Sequence, residues 1–150
     1  MHRKLRLLAG VLALSVMPSL AWAAGQATPD EAKAMAVKAA GFLKSEGPAK
    51  ALAAFNQPTG PWHDRDLYVT VQDGKGVMVA HGTNPGLVGR SVLDLKDVSG
   101  KPFNREVQAI KTDGWVSYQW QDPLTKSVKT KTAYELRVGE YIIGVGAYAQ

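Results

Sequence analysis

The sequence predicts an α+β domain, a five-stranded antiparallel sheet with a long N-terminal helix packed behind it. Three observations lead there. A well-capped segment with apolar residues at three-and-four spacing stands first. Five later segments carry apolar residues at every second position, and a single short helical segment interrupts them after the second. Five strands with one internal helix suit a single antiparallel sheet with helices packed on it.

Ahead of the domain, the chain begins Met1-His2-Arg3-Lys4-Leu5-Arg6, runs apolar over residues 7–20 and continues Ala21-Trp22-Ala23-Ala24. A basic start, a short apolar stretch and small residues at Ala21 and Ala23 are the parts of a secretory signal peptide cleaved after Ala23. The other reading is a retained membrane anchor. The apolar stretch holds Gly10 and Pro18 and falls short of the roughly 20 residues that cross a bilayer. Residues 1–23 are therefore expected to be a leader, and residues 24–150 one secreted or periplasmic domain. Those 127 of the 150 residues suffice to bury about two-thirds of the surface of the unfolded chain.

Composition excludes several classes. With no cysteine there is no disulfide, thiolate metal site or covalently attached haem. The formal charge of +5 and a pI near 9.5 overstate the basic character, because Arg3, Lys4 and Arg6 belong to the leader. Outside it, 15 basic residues face 13 acidic ones, which is no nucleic-acid footprint.

The first helix starts at Thr28-Pro29-Asp30-Glu31. Thr28 caps, Pro29 fits the first turn, and Glu31 stands three residues after the cap as in a capping box. Asp30 and Glu31 suit the positive end of the helix dipole. Ala32, Met35, Ala36, Ala39, Phe42 and Leu43 form one apolar stripe, and the helix is expected to run to about Ser45. Gly47-Pro48 breaks it, residues 49–55 read as a shorter helix, and residues 56–66 read as loop. Residues 67–72 and 77–81 alternate around Asp73-Gly74-Lys75-Gly76 and form a hairpin. Residues 82–89 are loop, 97–102 a turn, and 103–111 a helix. Residues 115–120, 128–138 and 141–147 are strands joined by short turns, and so are neighbours. Such a sheet, with loops and a short helix in front, leaves a hollow on its front face, where ligands commonly bind.

Six fragments, in order, carry a resemblance. They are Val77-Met78-Val79-Ala80-His81; Asn84-Pro85-Gly86-Leu87-Val88-Gly89; Asp94-Leu95-Lys96-Asp97 with Gly100-Lys101-Pro102-Phe103; Gly114-Trp115-Val116-Ser117-Tyr118-Gln119-Trp120 with Asp122-Pro123; Lys131-Thr132-Ala133-Tyr134; and Ile143-Gly144-Val145-Gly146-Ala147-Tyr148. Together they resemble the single-Cache family of extracellular sensor domains, over nearly all of the domain. The resemblance implies a PAS-like sheet and the binding of small molecules, often small organic acids, outside the inner membrane. Family members commonly sit in chemoreceptors and histidine kinases between two membrane spans. Two residues follow Tyr148 here, so a separate membrane receptor or histidine kinase is the expected partner in signal transduction and chemotaxis.

Candidate ligand contacts follow. His81 ends the second hairpin strand at the rim of the hollow, where it can hydrogen-bond a carboxylate or switch charge near neutral pH. It can equally pair with backbone to hold the loop. Lys131 offers three donors and a charge suited to a small carboxylate, or joins Lys126 and Lys129 on a solvated face; the resemblance raises it above Lys129. Tyr118 and Tyr134 offer hydroxyls. Strict alternation puts Lys131 and Tyr134 on opposite faces, so both line one pocket only if a bulge intervenes. Tyr118 shares a face with Val116 and Trp120 and can be core. Trp115 reads as a lid or core aromatic. Arg65, between Asp64 and Asp66, can clamp a carboxylate in a bidentate fork or pair with its neighbours. Arg105 is similarly ambiguous.

Catalytic and metal signals are poor. Ser91, Ser99, Ser117 and Ser127 lie in no nucleophile elbow, and the spacing of His63 and His81 matches no zinc motif. No cofactor, metal or enzymatic activity is expected. The expected function is a periplasmic sensor domain for a small organic acid. The alternative is a structural or interaction protein of the same fold with a filled pocket.

Overall fold

A computed structural model describes residues 25–150. The expected leader and cleavage point lie outside them. The elements are α1 (Pro29–Glu46), α2 (Pro48–Phe55), β1 (His63–Asp64), β2 (Leu67–Gln72), β3 (Met78–His81), α3 (Phe103–Ala109), β4 (Asp113–Gln121), β5 (Val128–Val138) and β6 (Tyr141–Tyr148), with a 3-10 turn at Pro85–Leu87.

The six strands form one antiparallel sheet in the order β1-β2-β6-β5-β4, with β3 also paired to β2. The domain is the expected α+β architecture. The two long hairpins run without register shifts from Asp113↔Leu136 to Gln121↔Val128 and from Lys131↔Tyr148 to Val138↔Tyr141. Gly139, at φ 60°, supplies the left-handed conformation that a two-residue hairpin turn requires.

Helix α1 begins where its cap is. Thr28 Oγ1 accepts from the Glu31 N–H at 3.2 Å, and the Glu31 carboxylate accepts from the Thr28 N–H at 2.7 Å. Its inner face buries Ala32, Ala36, Ala39, Ala40 and Leu43. Four alanines let the helix lie close on the sheet. They meet Leu67, Val69 and Val71 of β2 and Ile143, Val145 and Ala147 of β6, with Phe55 of α2 closing one end. Each fully buried large side chain here stabilises by roughly 1.5–3 kcal/mol. Met35 and Phe42 of the expected stripe sit half-buried at its margin. Phe42 packs against Phe55 and Trp62.

The chain departs from the sequence reading in three places. The stretch read as loop contains β1, whose pairs are His63↔Tyr68 and Asp64↔Leu67, so the sheet has six strands. Two residues are too few to display a period of two. A 3-10 turn occupies part of the loop at 82–89. Helix α3 ends at Ala109 because Ile110 turns extended (φ −61°, ψ 124°).

Candidate ligand-binding site

The front of the sheet carries a second, smaller core of Phe103, Val107, Val116, Tyr118, Ala133 and Ile142. Alternation sets Tyr68, Thr70 and Gln72 of β2, Lys131, Ala133 and Glu135 of β5, and Tyr118 and Trp120 of β4 on this face. Helix α3, with Leu87 and Leu95, roofs it. Between floor and roof is a cavity of about 20 Å³, bordered by Tyr68, Gln72, His81, Asn104, Tyr118 and Glu135 among others. That is room for about one water molecule. Phe103 closes it by stacking on Tyr118, ring centroids 3.9 Å apart and 9° from parallel.

Lys131 is 1% exposed. Its ammonium lies 3.8 Å from the centre of the Tyr68 ring and 5.3 Å from that of Tyr148. Cation–π contacts of this kind are worth up to about 2 kcal/mol when desolvated. No ion pair or hydrogen bond joins Lys131 to another described side chain. A buried ammonium held only by ring faces retains most of its demand for an anion.

The tyrosines are fixed in orientation. Tyr148 Oη donates to the Gln121 carbonyl at 2.9 Å, so at 3.0 Å Tyr68 Oη is the donor to Tyr148 Oη. Burial holds the Tyr118 phenol well above its ordinary range, which keeps it a donor.

His81 is placed by its own loop. Asn56 Oδ1 accepts from its backbone N–H at 3.0 Å. Its ring Nδ1 accepts from the backbone N–H groups of Thr83 and Asn84 at 3.3 and 3.0 Å. Nδ1 is therefore unprotonated and Nε2 carries the hydrogen. Burial, with the Lys131 charge nearby, pushes the imidazole down to about 3. His81 thus fixes the loop, as one of the two sequence readings has it, and presents a neutral ring to the cavity. It is no charge switch near neutral pH.

Glu135 is 4% exposed and borders the cavity without a hydrogen bond or ion pair from any described residue. Burial raises its carboxyl to about 7, against the lowering effect of Lys131. Asn104 Oδ1 accepts from Gln72 Nε2 at 2.6 Å, and Gln72 Oε1 accepts from Gln108 Nε2 at 3.0 Å. The Asn104 Nδ2 donor, buried beside the cavity, has no partner.

Of the six candidates from sequence, the structure brings His81, Tyr118 and Lys131 together on the front face. It places three elsewhere. Tyr134 faces α1 within the rear core and donates to the Asp113 carboxylate, with Lys33 4.8 Å from its ring centre. Trp115 pairs with it on that rear face and is 43% exposed, its ring 4.9 Å from that of Tyr134. The unbroken β5 register is the reason, because no bulge turns Tyr134 toward Lys131. Arg65 bonds Glu31 at 2.8 Å and Asp64 at 3.0 Å at the foot of α1, so its fork is occupied at the surface. Sequence reasoning missed Tyr68, Tyr148, Asn104 and Glu135. For Glu135 a signal existed, since Lys131-x-Ala133-x-Glu135 shares one strand face.

Residues 8–150 match the family described as Single Cache domain 2. Three solved structures are similar in fold. A methyl-accepting chemotaxis protein from Vibrio parahaemolyticus aligns at 20% identity and TM-score 0.68, over 79% of this chain and 86% of that one. A periplasmic sensor domain of a chemotaxis protein aligns at 23% and 0.62, over 81% and 90%. A Cache chemosensory domain described for its carboxylic acid recognition aligns at 25% and 0.61, over 81% and 88%. No curated protein matches the chain.

Proposed function

The chain belongs to the single Cache domain family of extracellular ligand-sensing domains, and from that premise we propose that it binds a small organic acid in the front cavity. The single observation that carries the reading is Lys131, a buried ammonium with aromatic faces for neighbours and no described carboxylate within ion-pair distance. His81 Nε2–H, the Tyr118 hydroxyl and the free Asn104 Nδ2–H supply neutral donors along the cavity. A cavity of about 20 Å³ holds no organic acid, so Leu87, Leu95 and Phe103 move outward on binding. That movement of the roof against the sheet is the event a partner reads. The carboxylic acid recognition described for one structural relative agrees with this chemistry. In this proposal residues 1–23 direct export with cleavage after Ala23, and a membrane receptor or histidine kinase is the partner.

The test is a thermal-shift screen of the purified protein against small organic acids, amino acids and purines. A ligand of the folded state at 100 times its dissociation constant adds about 2.7 kcal/mol. Hits confined to carboxylates support the proposal. The tight stacking of Phe103 on Tyr118 favours a second reading, a protein-interaction domain whose pocket is filled. An empty screen at millimolar concentration would select it.

A further inference from the structure

Glu135 borders the front cavity, while Lys131 lies beside it against the Tyr68 and Tyr148 rings on the same sheet face, and a carboxylate on Lys131 leaves Glu135 unused. Lys131 and Glu135 both lie flat across β6. A Cβ on Gly146 would stand 2.9 Å from Lys131 Cγ and closer still to Cε. A Cβ on Gly144 would stand 2.5 and 2.7 Å from the two carboxylate oxygens of Glu135. The two glycines therefore form the trough through which both side chains lean from β5 toward β2. The pairs Val69↔Val145 and Thr70↔Gly144 put Tyr68 and Thr70 on its far side. Gly144 and Gly146 are two positions apart on one face, about 6.5 Å at roughly 3.3 Å per residue. Lys131 Cε lies over Gly146 and the Glu135 carboxylate over Gly144, and the two side chains form no ion pair.

A ligand that satisfies both heads needs an anionic group and a donor separated by two or three bonded atoms. With charge-assisted hydrogen bonds of about 2.7–2.9 Å at each end, such a ligand reaches both side chains in a bent arrangement. Resting on the carboxylate reading above, we propose that the ligand is a short carboxylic acid with a hydroxyl or ammonium donor on its α-carbon, its carboxylate at Lys131 and its donor at Glu135. An unsubstituted acid of the same length leaves the buried Glu135 carboxyl without a partner, a costly arrangement. With Glu135 titrating near neutrality, the ligand's donor draws it into the carboxylate form at little cost.

Calorimetric titration with acetate, glycolate and glycine, and with propionate, lactate and alanine, tests the assignment. The wild-type protein is expected to bind glycolate or glycine at least tenfold more tightly than acetate, with the same order in the three-carbon set. Glycolate alone would identify the donor as hydroxyl, glycine alone as ammonium. Glu135→Met is expected to shrink the preference to threefold or less, while Lys131→Met weakens every acid. Equal binding of acetate, glycolate and glycine by wild type would overturn the α-donor assignment and leave the carboxylate site standing. That comparison needs no variant to fold. A preference that survives in a folded Glu135→Met protein would overturn the role of Glu135. Failure of all six acids to bind would sink the carboxylate reading itself.

Discussion

Replacing Glu135 by glutamine keeps the shape of the side chain and removes its titration, which turns its burial into a measurable pH dependence. In the folded protein its carboxyl sits at about 7, raised from 4.5 chiefly by desolvation. The folded state therefore holds the proton more tightly than the unfolded chain. Stability from this group is fully present below pH 4.5 and is lost as pH rises through 7. The whole effect is on the order of 3 kcal/mol, at about 1.4 kcal/mol per tenfold change in proton affinity. Roughly half of it, about 1.5 kcal/mol, falls between pH 6 and pH 8.5. His81 acts in the opposite sense and in a more acidic window. Its folded value of about 3, against 6.5, costs stability as pH falls from 6.5 toward 3. Melting curves from pH 6 to 8.5 should thus show wild type losing about 6 °C, at roughly 4 °C per kcal/mol for a domain of this size. Glu135→Gln should stay nearly flat and be the more stable protein at pH 8.5. Parallel curves for the two proteins would mean instead that Glu135 is solvated or paired.

Gly146→Ala should destabilise by about 1–3 kcal/mol through overpacking against Lys131 and Ala133, and should weaken acid binding by displacing the ammonium; chemical denaturation and calorimetry read the two effects. Phe55→Ala, at a fully buried ring, should cost roughly 3–5 kcal/mol in urea denaturation, and Phe42→Ala, half-buried beside it, distinctly less. Arg65→Ala should leave acid affinity within twofold and change stability by less than about 1 kcal/mol, because its ion pairs lie at the surface; a tenfold loss of affinity would return Arg65 to the site.

Much of the fold is legible because local signals agree with it. Thr28 and Glu31 mark the start of α1, and the alternating segments at 67–72, 128–138 and 141–147 mark the sheet. β1 escapes because its two residues are set by the turn at Arg65 and by pairing with β2. The site is harder to read. Alternation already separates Lys131 from Tyr134, whereas the family resemblance groups them, and the unbroken register decides for alternation. A lysine or glutamate in a long strand reads as solvated until something covers that face. Here the cover comes from α3 and the aromatic rings of β2, β4 and β6, which lie far away in sequence. Gly144 and Gly146 make sense only with Glu135 and Lys131 lying across them.

In the proposed site one buried ammonium, and not general surface charge, holds the ligand. The direct measurement is calorimetric affinity for the best acid from the screen, in wild type, Lys131→Met and Lys129→Met. Lys129 is the neighbouring cation, paired at 3.2 Å with the turn residue Asp122. A hydrogen bond to a charged group is worth roughly 1.5–3 kcal/mol, so Lys131→Met should weaken binding tenfold or more while Lys129→Met leaves it nearly unchanged. Equal losses from both substitutions, or none from Lys131→Met, would mean that Lys131 does not hold the acid.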